Sequence, residues 1–331
     1  MKNKIKQKVF SGIRATGQLH LGNYLGAVKG MLALQETHDC IFSVVDLHTI
    51  TTPYDPDSLQ NSILEIAIDY LAAGLDPKKC KIEVQSFVPE HIELAYLLST
   101  IYPVSRLQQL PTYKDKTLQH PKYQNMGLLF YPILMAADIL LYKTELVPAG
   151  VDQEPHIEVT REIARKFNAM FGETFPEVKR METVGEYVPS LLGTGKMSKS
   201  VPGSYINLAD SPDVIYEKMS KAKTDSGPQS KMSKLPEEGA VANLFKIFGL
   251  FDVKRAKVFE SQYLEGSIKY MEMKETLAEV IIEVLQPIRE KRNDLERNKE
   301  YVKKILLEGS IEARHEAKIN LNEVKQKMGL I

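Results

Sequence analysis

The sequence has only two cysteines, no excess of either charge and no long apolar run, and each shortage removes a class of protein. Two isolated thiols, Cys40 and Cys80, build neither a disulfide scaffold nor a four-thiolate metal site. They read as small core residues in a reducing, cytoplasmic compartment. Lys and Arg together number 43 and so do Asp and Glu, giving a formal net charge of +0. A neutral total neither supports nor excludes a nucleic-acid partner, because a local basic patch is enough to meet phosphates. Charge interrupts every apolar stretch before it reaches the ~20 residues of a membrane span, so no membrane partner is expected. Met1–Lys8 is basic, but no signal-peptide apolar region follows it. At 331 residues the chain has room for two domains.

What is present begins with V-F-S-G-I-R-A-T-G-Q-L-H-L-G-N-Y-L-G, from Val9 to Gly26. A short apolar run stops at Ser11-Gly12, glycines recur, and after Asn23 the apolar spacing becomes helical with Leu25, Val28 and Leu32 on one stripe. This is a strand, a glycine loop and a helix start. Unpaired N–H groups at a helix start attract phosphate. Gly12 and Gly22 allow a flat ring or a ribose close to the main chain, and His20 and Asn23 can bond a phosphate or ribose. An ordinary βα turn, with glycines for the bend, is the plainer reading of these residues taken alone.

Further strands are expected at Cys40–Val45, around Ile82 and Val84, and at Leu146-Val147, alternating with helices. That alternation is the pattern of a doubly wound parallel sheet of Rossmann type. Asp46 and His48 follow the second strand, at the edge where such sheets bind ligands. The helix after Pro89 is expected to turn Ile92, Ala95, Tyr96 and Ser99 inward. Residues 106–125 read as a polar loop whose lysines, Lys114, Lys116 and Lys122, either face solvent or reach over phosphates.

Tyr131-Pro132 is expected to open a helix over Pro132–Tyr142. Asp138 is out of place there, a carboxylate within I-L-M-A-A-D-I-L-L-Y, with Met135 on the same face. It needs a donor. The donor is either a ligand N–H or O–H, or an Arg or a backbone N–H elsewhere in the chain. A second strand–glycine–helix junction follows at Pro148 to Pro155, with Gly150, Val151, Asp152 and Gln153 at its mouth. From Gly193 to Gly203 the chain reads G-T-G-K-M-S-K-S-V-P-G, in which glycines and a proline bracket Lys196, Ser198, Lys199 and Ser200. Such a segment can close on a polyphosphate as a lid. Beyond it the pattern is helical, with outer faces charged by residues such as Arg289, Lys291, Arg292, Lys303 and Lys304. Lys231-Met232-Ser233-Lys234 repeats the lid motif by chance and reads as a surface loop.

H-L-G-N at His20, G-V-D-Q at Gly150 and K-M-S-K-S at Lys196 occur in one order, and the set resembles the class I aminoacyl-tRNA synthetases. L-M-A-A-D-I-L-L-Y, followed by V-P-A-G-V-D-Q-E-P-H-I-E-V-T-R-E-I-A-R-K-F-N, is similar to the tryptophan branch of that family. The resemblance runs from Val9 to about Asn243 and weakens afterwards. It implies ATP-dependent activation of L-tryptophan and its transfer to tRNA(Trp). Phe10, Gly12, His48, Tyr131, Met135, Asp138 and Gln153 would hold tryptophan, Asp138 by accepting the indole N–H. Arg14, Ala15, Thr16, His20, Gly22 and Asn23 would hold ATP from one side. Gly150, Val151, Asp152, Val188, Lys196, Met197, Ser198, Lys199 and Ser200 would hold it from the other. Lys116, Lys196, Ser198 and Lys199 would be catalytic, neutralising charge as pyrophosphate leaves. Mg²⁺ would ride on the phosphates, no residue would bind a metal directly, and two cysteines cannot carry an iron–sulfur cluster. The resemblance further implies a homodimer. It implies a Rossmann-type domain over residues 1–195 and a lid with an anticodon-binding helical domain over 196–331, whose last helix packs back on the first domain. Two alternatives are a tyrosine-type synthetase of the same class and a non-tRNA adenylyltransferase with the same nucleotide loop.

Overall fold

A computed structural model describes residues 6–119, 121–182, 187–228, 231–232 and 234–331. β1 (Lys8–Ile13) leads through the glycine loop to α1 (Leu21–Asn23). A π-helical turn, Tyr24–Val28, carries this on into α2 (Lys29–Leu34). There follow β2 (Asp39–Val44), α3 (Asp46–Thr49), α4 (Pro56–Ala73), β3 (Cys80–Val84), α5 (Glu90–Ser99), α6 (Val104–Gln109), α7 (Pro111–Gln119) and α8 (Met126–Leu140). Next come β4 (Leu146–Pro148), α9 (Glu154–Phe171) and β5 (Lys179–Met181). Five further helices close the chain: α10 (Pro212–Lys221), α11 (Ala240–Phe251), α12 (Val253–Glu265), α13 (Tyr270–Arg297) and α14 (Lys299–Lys327).

The five strands form one parallel sheet in the order β3-β2-β1-β4-β5. β2 is buried on both faces, which explains its unbroken apolar run. Strand order reverses between β1 and β4, and doubly wound sheets hold ligands beyond the carboxyl ends of strands at such a reversal. The Ser11 hydroxyl donates to the Pro148 carbonyl at 3.3 Å and ties the two strands together there. Cys40 and Cys80 are register partners on β2 and β3, buried and unoxidised. Burial pushes both thiols up to about 12, so neither is poised to react.

The chain divides into two compact units that do not follow chain order. The first comprises Met1–Gly17, Gly30–Thr183 and Asn298–Ile331, and the second Gln18–Lys29 and Val184–Arg297. The first holds the sheet and its flanking helices. In it, α14 packs against β3, with the Ser310 hydroxyl accepting from the Val84 N–H at 3.1 Å. Gly309 makes the approach possible, since a Cβ there would sit 2.2 Å from the Ile82 carbonyl oxygen. Ion pairs Arg314–Glu90, Lys325–Glu93 and Lys143–Glu323 fasten the same helix. The second unit is helical, with aromatic contacts such as Phe248–Phe259 and Phe245–Tyr263 in its core. Among the described residues no helix is long and apolar enough to cross a membrane.

Four local expectations are corrected. Residues 106–125 are not a plain loop but contain most of α6 and all of α7; α7 buries none of its side chains, so it leaves no apolar stripe to read. α8 begins at Met126 rather than Pro132, because the Asn125 side chain caps it by accepting from the Leu128 N–H at 2.9 Å. Ile92 and Tyr96 on α5 face outward, 44% and 67% exposed, since the inward face includes His91. β5 was not expected at all; it has three residues and none is fully buried. The second K-M-S-K has Lys231, Met232 and Lys234 exposed, while Ser233 lies outside the described residues.

Candidate active site

The first unit carries a buried polar cluster centred on Asp138 of α8, which is 2% exposed. His48 Nε2 lies 2.8 Å from Oδ2. Gln85 donates from Nε2 to both carboxylate oxygens, at 2.8 and 2.9 Å. His91 Nδ1 stands 2.7 Å from Oδ1. On its far side His91 Nε2 is 3.2 Å from Glu83 Oε1 and 3.0 Å from the Tyr142 hydroxyl, which donates to Glu83 at 2.7 Å. Burial alone would raise the Asp138 carboxyl, but the His91 charge and the His48 contact hold it well below the usual carboxylate range. Burial likewise opposes charge on His91, and the Glu83 and Asp138 carboxylates overcome it, moving His91 up to about 10.

The partners the structure gives Asp138 are two histidines and a glutamine, where the sequence suggested an arginine or a backbone N–H. Their four contacts occupy about as many lone-pair positions as a carboxylate offers. Any ligand N–H must share an oxygen or displace a donor. Gln85 and His91 are fully buried, whereas His48 is 8% exposed and is the donor best placed to yield.

Other expected residues gather around this cluster. Phe10 stacks on Tyr142 at 5.8 Å and lies 6.4 Å from the His91 ring. Tyr131 meets His48 edge-on at 6.3 Å. Its hydroxyl contacts His156 Nε2 at 2.7 Å and donates to Thr112 at 2.8 Å. Burial, then the charge of His48, lowers His156 to about 4, so it stays neutral. Met135 is half-buried, one turn before Asp138 on α8. Gly12 is exposed near the end of β1, and a Cβ on it would meet Val45 at 2.7 Å.

Arg14, Ala15 and Thr16 follow β1 at the ligand edge; the Ala15 N–H donates to the Thr49 hydroxyl at 2.9 Å. Gly150, Val151, Asp152 and Gln153 follow β4, with Val151–Gln153 forming a single 3₁₀ turn before α9. There the Gln153 amide donates to Asp152 at 3.0 Å. Lys116 on α7 is half-buried, and burial together with the Arg14 charge lowers its pKa.

The second unit holds the remaining expected residues. His20 caps α1: its Nδ1 accepts from the Asn23 N–H at 3.3 Å, and Asn23 Oδ1 accepts from the His20 N–H at 3.2 Å. A Cβ on Gly22 would strike the His20 ring at 2.8 Å, so glycine is what lets the imidazole fold back. Burial, then the charges of Lys199 and Lys196, lowers His20 to about 4. With Nδ1 accepting, the proton sits on Nε2, which can donate to an anion. The Leu21 N–H bonds to the Ile206 carbonyl at 2.9 Å, and the Leu208 N–H to that of Leu19 at 2.9 Å. The K-M-S-K-S segment is pinned at Lys196, which pairs with Pro189, and by Met197, whose N–H donates to the Val188 carbonyl at 3.0 Å. Met197 and Val188 are buried, so the Met197 side chain is an anchor. Ser198 and Ser200 hydroxyls bond each other at 2.8 Å.

Six residues of the first-unit cluster were missed from the sequence: Glu83, Gln85, His91, Thr112, Tyr142 and His156. One signal was available, since Glu83 interrupts an apolar strand and Gln85 sits just past its carboxyl end. Among the described residues no group of three His, Cys, Asp or Glu is placed to hold a metal ion.

Comparison with known proteins bears on the family and the fold. The family described as tRNA synthetases class I (W and Y) matches residues 2–286. The tryptophan–tRNA ligase of Rickettsia conorii is 44% identical over 99% of this chain and 100% of that protein. The ligase of the same name from Caldanaerobacter subterraneus is 43% identical over 98% and 99%. The tryptophanyl-tRNA synthetase of Campylobacter jejuni, solved with ADP and tryptophan, superposes with a TM-score of 0.83 at 35% identity, covering 98% of this chain and 100% of that one. That of Mycoplasma pneumoniae gives 0.85 at 30% identity, over 98% of both. With the family matched over most of its length and relatives above 40% identity end to end, this chain belongs to the class I tRNA synthetases of the tryptophan and tyrosine type.

Proposed function

We propose that the chain activates L-tryptophan with ATP and transfers it to tRNA(Trp), as a tryptophan–tRNA ligase. The observation that carries the choice of amino acid is the sealed, charged carboxylate of Asp138, with His48, Tyr131 and Phe10 around its cluster. The indole N–H takes the place of the His48 donor on Oδ2. A hydrogen bond to a charged acceptor is worth roughly 1.5–3 kcal/mol. A site built around such a bond rejects an amino acid lacking the donor by about 10⁴-fold or more.

In the first step a tryptophan carboxylate oxygen attacks the α-phosphorus of ATP in line. The bond to the β-phosphate breaks, giving tryptophanyl-adenylate and pyrophosphate. In the second a ribose hydroxyl at the 3′ end of the tRNA attacks the acyl carbon and AMP leaves. The protein positions the reactants and neutralises charge rather than forming bonds itself. Arg14, Ala15, Thr16 and Gly150 to Asp152 meet the nucleotide, and His20 donates to phosphate from Nε2. Lys116, Lys196 and Lys199, with Ser198, offset the charge that builds on the leaving pyrophosphate. Mg²⁺ carried in with the phosphates would supply further charge neutralisation there. The helical region that starts at the K-M-S-K-S segment reads the anticodon of the tRNA. The protein works as a cytoplasmic homodimer.

Pyrophosphate exchange across the twenty amino acids tests this reading: tryptophan alone stimulates it. The chain contains no tryptophan, so fluorescence of the bound substrate reports occupancy directly. Absence of tryptophan-stimulated exchange overturns the reading.

A further inference from the structure

Asp138 does not stand alone as a buried charge. Glu83 and His91 are each 0% exposed, and they line up as carboxylate, imidazole and carboxylate. The separations are 3.2 Å from Glu83 Oε1 to His91 Nε2 and 2.7 Å from His91 Nδ1 to Asp138 Oδ1. Three different elements supply the members: β3 gives Glu83, α5 gives His91 and α8 gives Asp138. Two buried carboxylates cannot both ionise at this spacing unless a cation stands between them. The imidazole is that cation, and Tyr142 closes the far end by donating to Glu83.

The arrangement fixes direction as well as charge. His91 is held at Nε2 by Glu83 and Tyr142, and its Nδ1 stands as an ion contact 2.7 Å from one oxygen of Asp138. Gln85 braces both oxygens from the side. The oxygen beside His48, the least buried of the three partners, is then the one a ligand would reach. We propose that His91, braced by Glu83, is a positioning residue that keeps the Asp138 carboxylate ionised and aimed, and so sets the preference for an amino acid with a ring N–H. This rests on the reading of Asp138 as the acceptor for tryptophan.

The test compares tryptophan with its sulfur analogue, in which benzothiophene replaces indole and no ring N–H remains. Pyrophosphate exchange gives kcat/KM for each, and their ratio is the readout. A merely structural lesion lowers both values and leaves the ratio alone. In His91→Gln the ratio falls by about tenfold or more, the size of a weakened charge-assisted bond. KM for tryptophan rises, and kcat and the KM for ATP change little. His91→Gln leaves two buried carboxylates without their cation and is at risk of misfolding. The double variant Glu83→Gln/His91→Gln removes one anion with the cation and keeps the net charge of the cluster. It folds and shows the same loss of discrimination. A folded double variant that discriminates as well as the unaltered enzyme overturns the proposal, while the unaltered enzyme still activates tryptophan. If the unaltered enzyme fails to activate tryptophan, the reading of the pocket itself falls, and the positioning role with it.

Discussion

The Asp138 cluster in the first unit and the K-M-S-K-S segment in the second handle charge in opposite ways. Around Asp138 every charged group is buried, and the carboxylate meets its polar partners at 2.7–2.9 Å. In the segment Lys196 and Ser200 are exposed, Lys199 and Ser198 half-exposed, and only Met197 is sealed. A neutral N–H is recognised weakly in water, so its acceptor has to be dry, ionised and fixed beforehand. A polyphosphate brings its own charge and metal, so the groups that meet it can stay hydrated until it arrives. On the proposed reading, stability and selectivity concentrate in the first region and rate in the second.

Asp138→Ala is the severest way to break that contrast. It leaves the buried His91 cation with one carboxylate instead of two, at a cost of about 3–5 kcal/mol of stability. It also raises the KM for tryptophan and erodes selectivity against phenylalanine. Denaturant titration and pyrophosphate exchange check the two effects, and unchanged selectivity removes Asp138 from the pocket. Lys199→Ala does the reverse. Its stability stays within about 0.5 kcal/mol, while the barrier to adenylate formation rises by roughly 2.7–4 kcal/mol. A normal single-turnover rate would show that this lysine has no part in the chemistry.

Acid and alkali strain the molecule through different histidines. His20 and His156 stay neutral in the folded state down to about 4, while their unfolded forms take a proton near 6.5. The unfolded chain then binds more protons, so stability falls as pH drops from about 6.5 toward 4. His91 has the opposite sign. Its folded value is raised to about 10, so its contribution is complete below about 6.5 and fades as pH climbs toward 10. Thermal midpoints measured across pH separate the two limbs, and in the Glu83→Gln/His91→Gln variant the alkaline limb flattens while the acid limb remains. The smallest effect is at Gly22→Ala, whose methyl group pushes the His20 ring from its cap and costs about 0.5–2 kcal/mol. An unaltered thermal midpoint would mean that the ring relaxes without losing its bond to Asn23.

Much of the fold was legible because it rests on neighbours in sequence. β2 announced itself by an unbroken apolar run, α4 by Asp55 at its start and Gly74 in a left-handed conformation at its end. Elements without such marks were lost: α7 buries no side chain and β5 is three residues long. On α5 the apolar spacing misled. The face turned inward carries Glu90 and His91, and the apolar Ile92 and Tyr96 were left outside. Among site residues, short motifs marked the glycine loop and the paired lysines, and one misplaced charge marked Asp138.

The sequence alone determined that the chain has a parallel α/β sheet, a glycine loop between its first strand and a helix start, and a carboxylate in need of a donor. Each follows from residue type and local spacing. Only the tertiary structure decided which donors those are, because His48, Gln85 and His91 come from separate stretches and meet Asp138 through strand register and helix packing. The same is true of α14, whose Ser310 reaches the Val84 N–H from more than two hundred residues away. A buried charge is satisfied by whatever the fold brings within 3 Å of it. That choice depends on the whole chain at once, and no window of sequence contains it.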